Sequence, residues 1–483
     1  MKKMFKLFMC ATVIVAGFTA CSEEVTPIPD SSIKGETETG LLTVNFKEAA
    51  PLTRASGDKD DNATDAERKV RDVTILVFNT QGVCKVDTTI NLSGLIPSTD
   101  ATTPNKYKAV KIVVPLGNHN VYAGINLTSG DANKMKEVLG GKGTVNGVSK
   151  YVWFGTNEST PTVDAIKVLC KTDEFPMFAS EAQSINIKAQ PLESVDAVNA
   201  VTIPVDRMVA KVTVQKGDKF SGDNLKAAGA AFDGASVKWA LGNLNGKIYP
   251  YGKVNFGTAT FGQDPNFDYP DSLGLPAGKA YCAANFVNDF QTTDTDWNKW
   301  TGFTTVIDDN GKAVKDRTAK YAPENNSKRK RLGESTFAAI QVKFAPDSIF
   351  SYTAGDPAPV KVTGYTPNLS ANVTYHAVEA GSMYYFKDKA DAEAYAAFVK
   401  APMKTYYGQY CFYHLMLGKG NDEKGITKRN HFYALTLNRI TGIGSPTGEI
   451  DDVDNTSDNR ALLDVTLAIN AWALEEEGVD LEK

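Results

Sequence analysis

Two side chains near the start of this 483-residue sequence have settings that invite chemistry, Cys21 and Arg54. Cys21 closes the stretch "MKKMFKLFMCATVIVAGFTAC", in which Lys2, Lys3 and Lys6 precede an apolar run from Leu7 to Phe18 and then small residues. That is the layout of an export signal, too short to be read as a spanning helix with a stop-transfer flank. Arg54 stands at the entrance to "ASGDKDDNATDAERK", which has almost no apolar content and is expected to be exposed and mobile. An arginine in such a linker is ordinarily a solvated charge. It is also where a trypsin-like protease cuts, and exposed polar segments are preferred sites of nicking. Cleavage is expected at the Arg54–Ala55 bond, with Arg68 as second choice. Arg71 enters the next strand, so a cut there would damage a folded unit.

The remaining chemistry-bearing residues promise less. The histidines are His119, His376, His414 and His431, with no HxxxH or HxH pair, so a histidine metal site is not expected. His414 and His431 lie in aromatic, strand-like runs and read as structural. Asp451, Asp452, Asp454 and Asp458 cluster in "GIGSPTGEIDDVDNTSDNR", yet the glycine and closing glutamate of an EF-hand loop are missing; a solvated acidic loop is expected. No GxSxG elbow, HExxH helix, P-loop or dinucleotide fingerprint occurs. Neither an enzyme nor a cofactor is indicated; a glycosidase carboxylate pair is never visible from spacing alone. Cys84, Cys170, Cys282 and Cys411 lie far apart, which excludes CxxC motifs; isolated buried thiols are expected, and their pairing stays open. A formal net charge of −5 gives no footprint for nucleic acid. The basic "NNSKRKRLGES" (Asn325–Ser335) lacks aromatic interleaving and reads as a solvated turn.

The elements that position these residues are mostly strands. Long segments rich in Thr, Val and Tyr favour a mainly β fold, and the length allows two or three domains. Leu42, Val44 and Phe46 alternate with Thr43, Asn45 and Lys47, the signature of a half-buried strand just before Arg54. Val70–Asn79 reads as a buried strand and Gln81–Gly82 as a turn. Tyr107–Gly117, Asn120–Asn126, "EFPMFAS" and "SINIKAQPL" are further strands, and "SGDANKMKEVLGG" a short helix capped by Ser129. Val201–Gln215 reads as one long alternating strand and the best seam between two domains. Asp388–Pro402 is a helix with Ala392, Tyr395, Ala396 and Val399 on one stripe. At the far end, Leu463, Val465, Leu467, Ile469 and Ala471 form an unbroken apolar face over nine residues, roughly 30 Å of strand.

Patterned strands therefore stand at both ends of the exported chain. Excising the first after folding would leave an apolar groove and unpaired backbone groups. A strand from a second molecule could fill that groove by β-augmentation. Such a head-to-tail contact does not close on itself, so it builds a filament.

Cys21 resembles the acylated cysteine of bacterial lipoproteins, although Phe18 stands where leucine is usual. Ser22, Glu23 and Glu24 resemble the surface-export signal of some Bacteroidetes lipoproteins. Together with "PLTRAS", "IPVDRMVAKVTV", "RNHFYALTLNRITGIGSP" and "VTLAINAW", these features look like Bacteroidales fimbrilins, the two-domain type V pilins, closest to the minor-fimbrium Mfa-like branch. The most specific block is Arg429–Gly444 with Trp472 behind it, whereas Lys216–Glu324 matches by β character alone. The resemblance implies a mainly β protein of two tandem β-sandwich, transthyretin-like domains with a few short helices. It implies a signal peptide (1–20), a lipidated propeptide with a removable first strand (21–54), and domains at 55–203 and 204–483. Lipid, palmitate included, falls on Cys21, cleavage by a trypsin-like protease on Arg54–Ala55, and the donor strand on Leu463–Ala471. The implied partners are other fimbrial subunits (copies of itself, tip and anchor pilins), that protease and, before maturation, the outer membrane. The implied place is the cell surface, in an adhesive fimbrium, as a stalk subunit. The alternatives are a tip or anchor subunit, or a glycan-binding surface lipoprotein using Trp297 and Trp300 of "DTDWNKW", which read more simply as packing residues.

Overall fold

The computed structural model describes residues 38–48, 64, 66–91, 96–97, 107–139, 144–145, 148–149, 174–179, 181–189, 199–246, 286–292, 294–307, 317–325, 330–418, 425–453, 455–456, 458 and 462–471. The protein is mainly β. In chain order it begins with β1 (Thr39–Glu48), β2 (Asp72–Asn79), β3 (Cys84–Asn91), β4 (Ile96–Pro97), β5 (Tyr107–Pro115) and β6 (Gly117–Ile125). The helix α1 (Ser129–Leu139) precedes β7 (Thr144–Val145), β8 (Val148–Ser149), β9 (Met177–Ala179), β10 (Gln183–Ile187) and β11 (Ala200–Arg207). Next come β12 (Val209–Lys216), β13 (Lys226–Ala227), β14 (Ala230–Gly242), β15 (Leu244–Asn245), β16 (Phe286–Val287), β17 (Thr304–Thr305), β18 (Ala319–Pro323) and β19 (Phe337–Pro346). The chain ends through β20 (Phe350–Ser351), β21 (Val360–Lys361), β22 (Tyr375–Ala380), β23 (Ser382–Phe386), α2 (Lys389–Val399), β24 (Met403–Tyr406), β25 (Tyr410–Met416), β26 (His431–Ile440) and β27 (Leu463–Ala471).

The first sheet runs in the order β3-β2-β6-β9-β11-β1-β5-β4, with β10 added on β6. Val86 and Ile90 from one end of that order share a core with Ile112 and Val114 from the other, so the sheet folds over on itself. β2 is buried along most of its length, which is why its sequence is a continuous apolar run rather than an alternation. In the second half, a sheet of order β18-β12-β26-β27 faces a sheet of order β13-β14-β19-β25. Val212, Val214, Tyr433, Leu435 and Leu437 from the first pack with Trp239, Leu241, Ile340, Val342 and Tyr413 from the second, a β-sandwich core. The outer face of the β12–β26 sheet is covered as well, because Phe432 and Ala434 enter the first core.

The two described helices form where their local chemistry directs. Asp388 caps α2, its carboxylate accepting from the amides of Ala390 (2.7 Å) and Asp391 (3.3 Å), and Lys400 ends it at φ 56°. Ala392, Tyr395 and Ala396 bury the expected stripe against Val378 and Phe386. The cap of α1 lies one residue ahead of the expected Ser129: Thr128 Oγ1 accepts from the Asp131 amide at 3.1 Å.

Val201–Gln215 is two strands, not one. The chain breaks at Met208, whose amide donates to Pro176 O at 3.2 Å, and the halves join different sheets. The apolar residues alternate through Val201, Ile203 and Val205 and then change phase to Met208, Ala210, Val212 and Val214, so the break coincides with a slip in the alternation. The change of sheet thus falls past residues 203 and 204.

Candidate strand-exchange site

β1 occupies an interior place in the first sheet. Its first half pairs antiparallel with β5, from Thr39↔Pro115 to Val44↔Val110. Its second half pairs parallel with β11, from Thr43↔Ala200 to Glu48↔Val205. Leu42 and Val44 are fully buried in the core, and Leu41 and Thr43 are buried as well. Burial on both faces goes beyond the half-buried strand that alternation suggests. Phe46 occupies a strand position opposite Ile203. Asn199 finishes the seam: its Nδ2 donates to Leu41 O (3.1 Å) and Lys188 O (2.9 Å), and its carbonyl accepts from the Thr43 amide (2.8 Å). Gly40 is required there, because a Cβ would meet Lys188 O at 2.5 Å.

The topology gives β1 a particular leverage. Among the described residues, β5 and β4 join the rest of the first sheet's ladder through β1 alone. Without it, β11 and β5 would each present unpaired backbone along a channel that held Leu42 and Val44.

β27 is placed differently. It pairs antiparallel with β26, from His431↔Ala471 to Ile440↔Leu463, and is the last strand of its sheet. Leu463 is buried; Val465 and Leu467 are half-buried and pack on the sandwich core. Ile469 and Ala471 hold strand positions opposite Tyr433 and His431. Cys21, Arg54 and Ala55 lie outside the described residues.

Between the two cores lies a buried polar cluster that the sequence reading missed. Glu67 sits in a short 3-10 turn, Ala66–Arg68, inside the stretch expected to be exposed, yet it is 1% exposed. Lys211 Nζ on β12 lies 2.9 Å from Glu67 Oε1 and 3.1 Å from Oε2. Tyr321 OH on β18 donates to Oε1 at 2.6 Å, and the Thr64 amide donates to Oε2 at 2.7 Å. Arg207 at the end of β11 reaches Glu67 O through Nε and Nη2, both at 3.4 Å. A buried charge persists only when paired and hydrogen-bonded. Lys211, a lone cation within the apolar run of β12, was the available signal that an anion had to be nearby.

The other residues singled out take structural places. His119 Nε2 lies 2.9 Å from Pro115 O, His414 Nε2 2.9 Å from Gly448 O, and His431 Nδ1 2.7 Å from Arg429 O. His376 lies 3.0 Å from Thr405 Oγ1, and burial, aided by Lys389, holds its pKa below the usual value. Cys84 and Cys411 are free thiols, pushed up by burial to about 11 and about 12. Trp297 and Trp300 are half-buried. They pack on Tyr410 at 5.6 and 5.8 Å, and Trp300 Nε1 donates to Asp294 O at 2.8 Å. A Cβ on Gly408 would strike the Trp297 ring at 2.5 Å, so that indole is seated on backbone rather than offered as a platform.

Two loops differ from expectation. The "NNSKRKRLGES" segment is anchored at both ends, since Asn325 and Leu332–Glu334 are buried. The acidic loop supplies Asp458 to the Met416 amide (3.1 Å) and Val453 O to the Gly333 amide (3.0 Å). Its carbonyls and carboxylate complete a neighbouring turn and strand end, while Asp451 and Asp452 stand exposed as expected of a solvated acidic loop.

A scan of protein-family models finds no match, and neither does a comparison with curated proteins. Solved structures do align with the chain. A cell adhesion protein from Parabacteroides distasonis aligns at 14% identity and TM-score 0.45, covering 90% of this chain and 99% of that one. The tip fimbrial protein Mfa3 from Porphyromonas gingivalis aligns at 11% identity and TM-score 0.33, over 90% and 100%. A fimbrial assembly protein from Parabacteroides distasonis aligns at 9% identity and TM-score 0.33, over 83% and 91%.

Proposed function

We propose that this chain is a structural subunit of a cell-surface fimbrium, exported as a lipoprotein, matured after Arg54 and polymerised by strand exchange. The observation that supports this best is the place of β1: an interior strand whose loss opens two backbone edges at once, followed by a linker that begins at a basic residue. In this reading Cys21 carries the lipid and the Arg54–Ala55 bond is cut. The tandem units, divided at Met208, remain after the cut. β27 of a second copy then enters the channel, parallel to β11 and antiparallel to β5. Leu463, Val465, Leu467, Ile469 and Ala471 take over the apolar positions of Leu42, Val44 and Phe46.

The exchange is favourable by the sheet's own logic. β27 has nine residues and β1 ten, so the replacement fits in length. At home, among the described residues, β27 has one ladder, on β26. In the channel it would have two. The subunit assembles without a cofactor and performs no catalysis; its partners are copies of itself and the tip and anchor subunits. With both a removable first strand and a donor, it suits a stalk.

The test is limited trypsin on the chain lacking residues 1–21, with N-terminal sequencing and non-boiled gels. A new terminus at Ala55 with ladders is expected, and Arg54→Ala combined with Lys59→Ala, which removes the other basic residue of the linker, should remove both. Monomers after a clean cut would overturn polymerisation.

A further inference from the structure

We propose that the Glu67 cluster is a stop for proteolysis: it fixes how far trimming by a protease cutting after Arg or Lys proceeds past the linker. The segment just beyond the linker is rich in cleavable positions, with Arg68, Lys69 and Arg71 within four residues. Cutting at any of them would free the start of β2, which begins at Asp72, from the contacts that precede it. The structure closes these positions by two locks.

The first lock is a reciprocal cap. Thr64 Oγ1 accepts from the Glu67 amide at 3.2 Å, while the Glu67 carboxylate accepts from the Thr64 amide. That carboxylate is at the same time held by Lys211 and Tyr321, and the Glu67 carbonyl by Arg207. A protease must draw residues on both sides of the bond into an extended form. Extending Ala66–Arg68 would pull Glu67 out of its burial and strand Lys211 without its anion.

The second lock lies immediately beyond. Lys69 Nζ is 2.7 Å from Glu174 Oε1, and Arg71 Nη1 is 3.6 Å from Glu174 Oε2. Arg71 Nε contacts Asp72 at 2.7 Å, and its Nη2 donates to Leu127 O at 3.1 Å. The backbone is clamped too, since Asn126 Nδ2 donates to Lys69 O (2.8 Å) and Asn126 Oδ1 accepts from the Arg71 amide (2.7 Å). Cleavage here therefore requires local opening, and its rate follows the population of the opened form.

The locks hold against any protease of this specificity; only their role in maturation rests on the pilin reading. The experiment is a trypsin time course on the chain lacking residues 1–21, scored by mass spectrometry at the termini between Ala55 and Asp72. New termini at Ala55 and Asp60 are expected, with Lys69, Val70 and Asp72 absent while the core persists. Glu67→Ala should open the Arg68 bond about a hundredfold or more, given what an unpaired buried charge costs. Glu67→Gln combined with Lys211→Met removes both charges and should restore the stop. Glu174→Gln keeps the first lock and should raise cutting after Lys69 and Arg71 alone, which keeps the test informative if Glu67→Ala unfolds. Wild-type cutting after Arg68 as fast as after Arg54, or no change in both variant lines, would overturn the proposal. Ladder formation is read separately, so failure of polymerisation leaves this result standing.

Discussion

β1 and β12 hold the same place in two different sheets. β1 pairs antiparallel with β5 and parallel with β11, and β11 pairs antiparallel with β9. β12 pairs antiparallel with β18 and parallel with β26, and β26 pairs antiparallel with β27. The stagger agrees as well. Thr39–Val44 lie on β5 and Thr43–Glu48 on β11, while Val209–Thr213 lie on β18 and Lys211–Lys216 on β26. Even the entry to each parallel neighbour matches: Asn199 and Asn430, both buried, stand immediately before β11 and β26 and bond to the backbone of the corresponding strand.

What separates them is how each is attached. β12 follows β11 after a single residue and carries Lys211 into the Glu67 cluster. β1 is followed by the stretch that holds Arg54. Sheet position makes both strands necessary to a closed core, whereas covalent context decides which can be taken away. β27 adds the complement. It occupies in the second sheet the place β9 holds in the first, but among the described residues no strand pairs its far side, so leaving exposes one edge rather than two.

The comparison breaks most sharply at Lys211. Lys211→Met should lower the unfolding free energy by about 3–5 kcal/mol, because Glu67 then remains buried without its cation. Urea titration measures it, and the loss should be equal in cut and uncut chains. Leu42→Ala comes next, at about 2–5 kcal/mol for a fully buried leucine. That loss should be present in the uncut chain and vanish from the assembled one, where Leu42 has been replaced. Equal losses before and after assembly would mean that β1 never leaves.

Much of this architecture was legible because its cause is local. β1, β2, β26 and β27 declare themselves through alternation or aromatic and β-branched runs, and α2 through its Asp388 cap and apolar stripe. The break at Met208 was marked only by the slip in alternation between Val205 and Met208, and nothing local says which sheet each half will join. Glu67 was hidden for another reason. Its neighbours "DKDDNATD" are polar, and the cation, hydroxyl and guanidinium that bury it come from β12, β18 and β11. Composition describes a segment's average; the capping pattern of Thr64 and Glu67 was the only local hint. The proposed exchange rests on β1 and β27, whose sheet positions follow from pairings distant in sequence.

Smaller effects sharpen the likeness. Asn199→Ala and Asn430→Ala should each cost about 1–3 kcal/mol, since each strands buried backbone or side-chain partners. Hydrogen exchange should show the first loosening β1 and the second loosening the end of β11, whose Asp206 and Arg207 the Asn430 side chain holds, while β12 keeps its bond to the Asn430 amide.

The smallest effect comes from a place neither strand touches. His376 lies in β22, buried, with its pKa held below the ordinary value by desolvation and by Lys389. A histidine depressed in the folded state contributes stability that is complete above the unfolded value of about 6.5 and is lost as pH falls below it. Urea midpoints should therefore drop between about pH 7.5 and about pH 5.5, and His376→Gln should flatten part of that slope. The slope should be the same before the cut, after it and in the ladder. If cutting changed it, the loss of β1 would be felt beyond the first sheet. Replacing one strand would then be a rearrangement of the whole subunit rather than a substitution within one channel.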